Sequence, residues 1–326
     1  MAGASKLPRI GILGAAKIAP GALIQPCRAT GVARAYAVAA RDPARARDYA
    51  AAHDIPVVVD SYEALIAHPD VDVIYNALPP SRHADLTIAA LEVGKPVLCE
   101  KPFAMSATEA SAMVEAGRRT GLLLMEAFHY RYHPLFLRVL ELVRGGEIGA
   151  VTGLEAVFNV PIPETPTELR HDPALGGGAL MDLGTYCLHW CRSVAGREPE
   201  VVSARQVLSS RGVDLETEAQ LDFAGLPAKI SCSMQPGGFA ASLRIQGAAG
   251  VISVINPLAP QLGHRVTIET AAGSREESFT REPTYNFQLR AFVEALNDGS
   301  APPTSGADSI GQMAAIDAIK AAARKG

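Results

Sequence analysis

The sequence predicts an α/β chain in two parts. The first is a doubly wound parallel-sheet domain over residues 1–127. The second is an α+β domain with a large open, mostly antiparallel sheet over residues 128–326, whose last helix packs on one domain or the other. Three observations carry this. Short apolar runs alternate with helical segments over residues 9–125, the order of a doubly wound sheet. From residue 151 onward, β-rich runs follow one another with little helix between. Within the first half, Leu98-Cys99-Glu100-Lys101-Pro102 closes an apolar run on two charges and a proline, the composition of a strand end where an open parallel sheet holds ligands.

Taken in order, Arg9-Ile10-Gly11-Ile12-Leu13-Gly14 reads as a strand with a glycine turn, and residues 15–30 as a helix closed by Gly31. Strand, turn and helix are the setting of a dinucleotide fingerprint. In Gly14-Ala15-Ala16-Lys17-Ile18-Ala19 only the first glycine of that fingerprint remains. Residues 33–40 form a second strand. Arg41 follows it, Asp42 precedes Pro43 as a helix cap, and Arg45 lies one turn on. An arginine at this strand end suits a 2′-phosphate, which favours NADP(H) over NAD(H); the alternative is a pair of solvated charges at a helix start. A strand over residues 71–78 ends in Pro79-Pro80-Ser81-Arg82-His83, with a helix from about Arg82 to Glu92. Asn76, Leu78 and Pro79 thus fall at the carboxyl edge of the sheet, and His83 either touches a ligand or packs in the first turn. Lys101 is expensive to place at such an edge unless something anionic or polar meets it, and Pro102 fixes the backbone beside it. A helix over residues 106–120 opens with a Ser106/Glu109 capping box, and a strand over 122–125 completes the sheet.

Glu126 to Pro134 is dense in aromatic and basic groups. There Arg131 can clamp an anionic cofactor or a substrate oxygen, or the segment can fill an interface. A helix over 135–145 precedes runs at 151–161, 201–208, 218–223, 228–233, 241–246, 251–254, 266–269 and 276–280, all β-rich. One helix interrupts them, after Gly176-Gly177-Gly178. On it Asp182, Tyr186 and His189 lie four and three apart, on one face. This polar stripe on an apolar helix needs partners, either for acid–base work, with a tyrosine set against a lysine, or for hydrogen bonds across an interface. Helices over 285–296 and up to Lys325 end the chain; Ser305 or Asp308 caps the last. The loops at 161–173 and 236–239 are expected to shape the substrate pocket.

Composition narrows the function. Of 326 residues, 48% are hydrophobic and 20% charged, enough for two cores. The net charge of −4 and the absence of a basic arm argue against nucleic acid. No apolar run reaches the ~18 residues of a membrane span, and residues 1–8 are too short and polar for a signal peptide. Cys27, Cys99, Cys187, Cys191 and Cys232 are odd in number and scattered, as for reduced thiols in a cytoplasm. Cys187 and Cys191 share a helix face from which His189 points away, so no metal is expected.

Three blocks together, Gly14 to Ala19, Glu100-Lys101-Pro102 and Gly176 to Tyr186, resemble the glucose-fructose oxidoreductase, inositol dehydrogenase and rhizopine catabolism family. Glu126 to Pro134 and Tyr186 place the resemblance in its trans-dihydrodiol and D-xylose dehydrogenase branch; the inositol dehydrogenase branch carries histidine at position 186. Ala16 stands where the family's second glycine is usual, and Pro80 where many members have asparagine. The resemblance implies a Rossmann domain, a second domain whose open sheet makes dimer or higher homo-oligomer contacts, NADP with NAD as the alternative, and a sugar or cyclic diol as substrate. It implies Tyr186 as acid–base, Lys101 as its assistant and Asp182 beside them. The residues expected to hold the cofactor are Gly14, Ala16, Lys17, Ile18, Arg41, Arg45, Asn76, Leu78, Pro79, His83, Glu100, Lys101 and Arg131. Lys101 and Tyr186 are expected to converge beside the nicotinamide. A non-catalytic nucleotide-binding regulator and an oxidoreductase with permanently held cofactor are the rival readings.

Overall fold

The computed structural model describes residues 7–235 and 237–325; residues 1–6, and Pro236 in the 236–239 loop, lie outside them. The chain divides into two compact units. One comprises the residues up to Ala104 with Thr108–His129 and Tyr285–Ile310; the other comprises Met105–Ala107, Tyr130–Thr284 and the residues from Gly311.

In the first unit, β1 (Arg9–Leu13) leads through α1 (Gln25–Thr30) to β2 (Arg34–Ala39), and α2 (Pro43–His53) to β3 (Val57–Val59). Then come α3 (Tyr62–Ala67), β4 (Val73–Asn76), α4 (His83–Glu92), β5 (Val97–Cys99), α5 (Ala107–Thr120) and β6 (Leu124–Glu126). All strand pairs are parallel, in the order β3-β2-β1-β4-β5-β6. The predicted doubly wound sheet is therefore present. β1, β4, β5 and β6 are buried along nearly all of their length, on both faces, which explains why they read as apolar runs.

The first helix departs from expectation. It was expected from residue 15, but Ala15 to Ile18 form a loop, and a π turn (Pro20–Ile24) precedes α1. A helix from Ala15 would need the residue-20 N–H to bond the Ala16 carbonyl, and proline has none. That carbonyl instead accepts from the Tyr49 hydroxyl at 3.0 Å. The strand expected over 71–78 also stops early, at Asn76, because the Leu78 N–H turns back to the Asn76 side-chain oxygen (3.3 Å).

In the second unit, α6 (Pro134–Arg144) precedes β7 (Val151–Asn159), and α7 (Thr185–Ala195) precedes β8 (Glu200–Leu208). Then follow β9 (Asp214–Asp222), β10 (Pro227–Ser233), β11 (Ala240–Gly247), β12 (Gly250–Ile255), β13 (Arg265–Thr270) and β14 (Gly273–Glu277). The eight strands run β14-β13-β12-β11-β7-β10-β9-β8, with β7 and β10 parallel and the other pairs antiparallel. Helix α7 packs on β7 and β10. A hollow of about 500 Å³ on the sheet is lined by apolar groups such as Leu154 and Val202 together with Glu155, Gln220, Lys229 and Arg244. β14 was expected over 276–280. It lies earlier because the chain turns tightly after Thr270, which pairs with Gly273, and beyond Glu277 the Phe279 N–H leaves the ladder for His264 Nε2 (3.0 Å). Of the chain's last two helices, α8 (Thr284–Asp298) belongs from Tyr285 to the first unit, and α9 (Ala307–Ala323) to the first up to Ile310 and to the second from Gly311.

One cap in this unit predicts a pH response. His133 precedes α6, and its Nδ1 accepts the Leu135 N–H at 3.1 Å. Burial, then the nearby His264, push its pKa down to about 4. The unfolded chain takes up this proton near pH 6.5, before the folded chain does, so stability falls as pH drops through the window from about 6.5 to 4. Thermal midpoints measured between pH 7 and 4 should fall less steeply for His133→Asn, which caps without titrating. Equal slopes would show that His133 is not the group responsible.

Candidate active site

Connections leave β1 and β4, neighbours at the centre of the first sheet, toward opposite sides, and the crevice at such a switch point is where open α/β sheets bind ligands. Gly14 makes the turn after β1 with φ +96°, and a Cβ there would stand 2.9 Å from Leu78 Cδ2 in the loop after β4. Glycine is required on both counts. Lys17 and Ile18 are exposed beyond it. Arg45 Nη2 donates to the Ala15 carbonyl at 2.8 Å. Asp42 caps α2, accepting the Ala44 and Arg45 N–H groups at 2.9 and 3.4 Å, while Arg41 is exposed at the end of β2.

The loops after β4 and β5 share a buried brace. Asn76 is fully buried. Its amide nitrogen donates to the Thr87 hydroxyl at 3.2 Å and to the carbonyls of Arg82 and His83. The His83 ring lies between the Leu78 carbonyl (Nε2, 2.8 Å) and the Pro102 carbonyl (Nδ1, 3.0 Å), so it links the two loops. Burial holds its pKa below the ordinary histidine value, against the pull of those carbonyls. Tyr75, also fully buried, donates its hydroxyl to Glu100 Oε1 at 2.6 Å, and Glu100 Oε2 accepts the Lys101 N–H at 3.3 Å. Burial and the Glu100 charge push the Tyr75 phenol well up, so it stays a donor. Lys101 is half-buried and joined to Pro102 by a cis peptide bond.

In the second unit the three glycines solve a packing problem. A Cβ on Gly177 would meet the Arg170 carbonyl oxygen at 2.6 Å, and one on Gly178 the Asp214 carboxylate at 2.1 Å. Asp214 reaches across from β9 to accept the Leu180 N–H and the Thr217 hydroxyl, each at 2.7 Å. It thus caps the following helix from 34 residues away. That helix opens with a π turn, Leu180–Gly184, before α7. Asp182 and Tyr186 therefore lie on segments of different pitch, not on one regular helix as the spacing predicted; Gly184 sits tight against Cys232 Sγ and Leu180 Cδ1. Asp182 Oδ2 accepts from Arg170 Nε at 2.6 Å, and Arg170 also holds Glu168. The Tyr186 ring packs edge-on to Tyr130 and Phe158, with centroids 6.2 and 5.7 Å away. His189 Nδ1 bonds the Tyr130 hydroxyl. Arg131 stands over the Phe136 ring at 5.9 Å. Burial pushes the Cys191 thiol up to about 12 and Cys187 well above its ordinary value, so both are protonated packing groups.

Sequence reasoning missed Tyr49, Tyr75, Arg170 and Asp214. A tyrosine inside an apolar strand was a signal for Tyr75, since a buried hydroxyl needs an acceptor. Tyr49 stands one helical turn after Arg45. Arg170 and Asp214 carry no local signal.

The strand order and the glycine turn at the switch point define a Rossmann-type nucleotide-binding unit. Residues 8–128 match the GFO/IDH/MocA oxidoreductase family with NAD-binding Rossmann fold, and residues 136–253 match the GFO/IDH/MocA C-terminal domain. The chain belongs to this family of oxidoreductases. It is 34% identical to a D-xylose 1-dehydrogenase (NADP(+)) of Haloferax volcanii over 97% of both chains. It is 37% identical to a trans-1,2-dihydrobenzene-1,2-diol dehydrogenase of Xenopus laevis over 67% of this chain and 66% of that one. A 3-ketoreductase of Actinomadura kijaniata, solved with NADP and TDP-benzene, superposes with TM-score 0.90 at 27% identity, covering 97% of this chain and 98% of the other.

Proposed function

We propose that this chain is an NADP(H)-dependent oxidoreductase that transfers a hydride between nicotinamide and a carbon bearing a secondary or hemiacetal hydroxyl, on a sugar or cyclic diol. The observation that carries the reading is the brace at the carboxyl ends of β4 and β5. Three buried side chains, Tyr75, Asn76 and His83, fix the loops that present Leu78, Pro79, Glu100 and Lys101. A solvated lysine would need no such support. The residues fit a dinucleotide: among the described residues the N–H groups of Ala16, Lys17 and Ile18 bond no acceptor in the chain, leaving donors for phosphate. The carboxylate at the end of β2, Asp42, is oriented by the helix cap, accepting two N–H groups through Oδ1, while the Arg41 and Arg45 guanidiniums suit a 2′-phosphate.

When bound, the dinucleotide supplies the hydride acceptor or donor. Tyr186 takes the substrate hydroxyl proton during oxidation and returns it during reduction. Lys101 orients the substrate oxygen and holds the charge that develops as the proton leaves. Arg170 holds the Asp182 side chain in place near the start of the Tyr186 helix. Arg131 meets an anionic cofactor group. Residues 1–127 bind the dinucleotide, and residues 128–326 supply the substrate surface and the contacts of a homodimer through the open sheet. Five free, buried thiols suit a reducing compartment such as the cytoplasm.

Fluorescence titration with NADPH and NADH tests the reading, and binding of neither ends it. Replacing Arg41 by Ala should weaken NADPH about tenfold and leave NADH unchanged, the worth of one charge-assisted hydrogen bond. Equal loss for both nucleotides would remove Arg41 from 2′-phosphate recognition. Aldoses and cyclic diols assayed at the reduced-nicotinamide absorbance then define the substrate, and silence across that panel with nucleotide bound would favour a regulator.

A further inference from the structure

The loop after β1 lacks two of the glycines that let a Rossmann turn approach pyrophosphate, yet it is held more firmly than its own residues explain. Arg45 Nη2 binds the Ala15 carbonyl at 2.8 Å and the Tyr49 hydroxyl binds the Ala16 carbonyl at 3.0 Å, both from α2. Tyr49 also packs against a small cluster of Ala15, Ala40 and Ala46. Among the described residues the one cis peptide is Lys101–Pro102, so the 15–16 and 16–17 peptides are trans. In a trans peptide the carbonyl and the following N–H point to opposite sides of the chain. With both carbonyls turned to α2, the N–H groups of Ala16 and Lys17 face away from it. Neither N–H bonds an acceptor in the chain.

We propose that Tyr49, together with Arg45, is a positioning residue for the dinucleotide: by holding two carbonyls it aims two backbone N–H groups at a phosphate oxygen of the pyrophosphate. The proposal rests on the dinucleotide reading above. It assigns Arg45 a second duty besides any contact with a 2′-phosphate; one of its five N–H groups is committed to the loop. It also explains how alanine is tolerated at positions 15 and 16. Beyond the Gly14 turn, the loop is shaped by side-chain donors from outside it, and by its own Ala19 N–H on the Ala16 carbonyl, in place of further glycine torsions. Burial pushes the Tyr49 phenol up to about 12, so it remains a donor through neutral and mildly alkaline pH.

The test is Tyr49→Phe, which keeps the ring and removes one donor. For the purified full chain, Kd for NADPH and for NADH should both rise about fivefold, the worth of one neutral hydrogen bond. The ratio of the two should not change, since the pyrophosphate is common to both. With the sugar or diol substrate, nucleotide KM should rise while kcat at saturation stays within twofold, and the thermal midpoint of the free protein should hold. Unchanged Kd values would overturn the proposal, and so would a loss confined to NADPH, which would place Tyr49 in 2′-phosphate recognition. Arg45→Met should weaken NADH as well as NADPH, and an effect on NADPH alone would remove its loop duty. Wild-type protein that binds neither nucleotide would overturn the functional reading itself, a result distinct from any of these.

Discussion

Lys101→Met is expected to lower kcat by about a thousandfold, within the usual range for loss of a positioned acid–base assistant, while NADPH affinity changes by less than about threefold. Methionine keeps most of the length and the apolar stem of lysine and removes the charged, hydrogen-bonding ammonium. The backbone should not move, because the Lys101 N–H is held by Glu100, itself held by the buried Tyr75 hydroxyl. Tyr186→Phe should fall by a similar factor, since phenylalanine preserves the edge contacts to Tyr130 and Phe158 and loses only the hydroxyl. The double variant is the sharper measurement. In the function proposed above both groups serve one reacting oxygen, and losses at such groups are strongly non-additive, so on that proposal the double should be only slightly slower than the slower single. Losses that multiply would separate the two roles. Undiminished kcat in Lys101→Met would remove that lysine from the chemistry.

Gly178→Ala is expected to destabilise the protein by about 3–5 kcal/mol, at the level of the most damaging single substitutions. Two effects add. A φ of +117° is a conformation that an L side chain rarely adopts. The new methyl would also stand 2.1 Å from Asp214 Oδ1. Moving Asp214 aside uncaps Leu180 and leaves a buried N–H without its acceptor. At about 2–4 °C per kcal/mol for a unit of this size, the midpoint should drop by about 10 °C. Gly196→Ala is the control: it has φ +67° and open space around it, and should cost about 1 kcal/mol. Equal losses at the two glycines would show that the carboxylate contact contributes nothing.

Most boundaries in the chain were legible because their causes are local. Asp42-Pro43 caps its helix within one turn, as those residue types require. Gly31 closes its helix in the left-handed conformation. The start of the first helix was misread although its cause was also near: Pro20 cannot supply the bond that a helix from Ala15 needs. What replaced that bond, the Tyr49 hydroxyl 33 residues on, was not readable. The polar stripe on α7 raised the right question about partners. The answers, Arg170 for Asp182 and Tyr130 for His189, came from outside the helix.

The sequence by itself determined two successive folding textures, the order of their elements, and the lysine and tyrosine on which the chemistry is proposed. Periodicity, capping and turn propensity act over three or four residues, and those spacings are written in the chain. Only the tertiary structure decided that β7 pairs in parallel with β10, that Asp214 caps a helix from another strand, and that Tyr75 and Tyr49 brace the loops at the sheet edge. These choices follow from where a buried polar group finds its partner once the core has closed. No spacing along the chain encodes a partner that folding brings from 25 or more residues away.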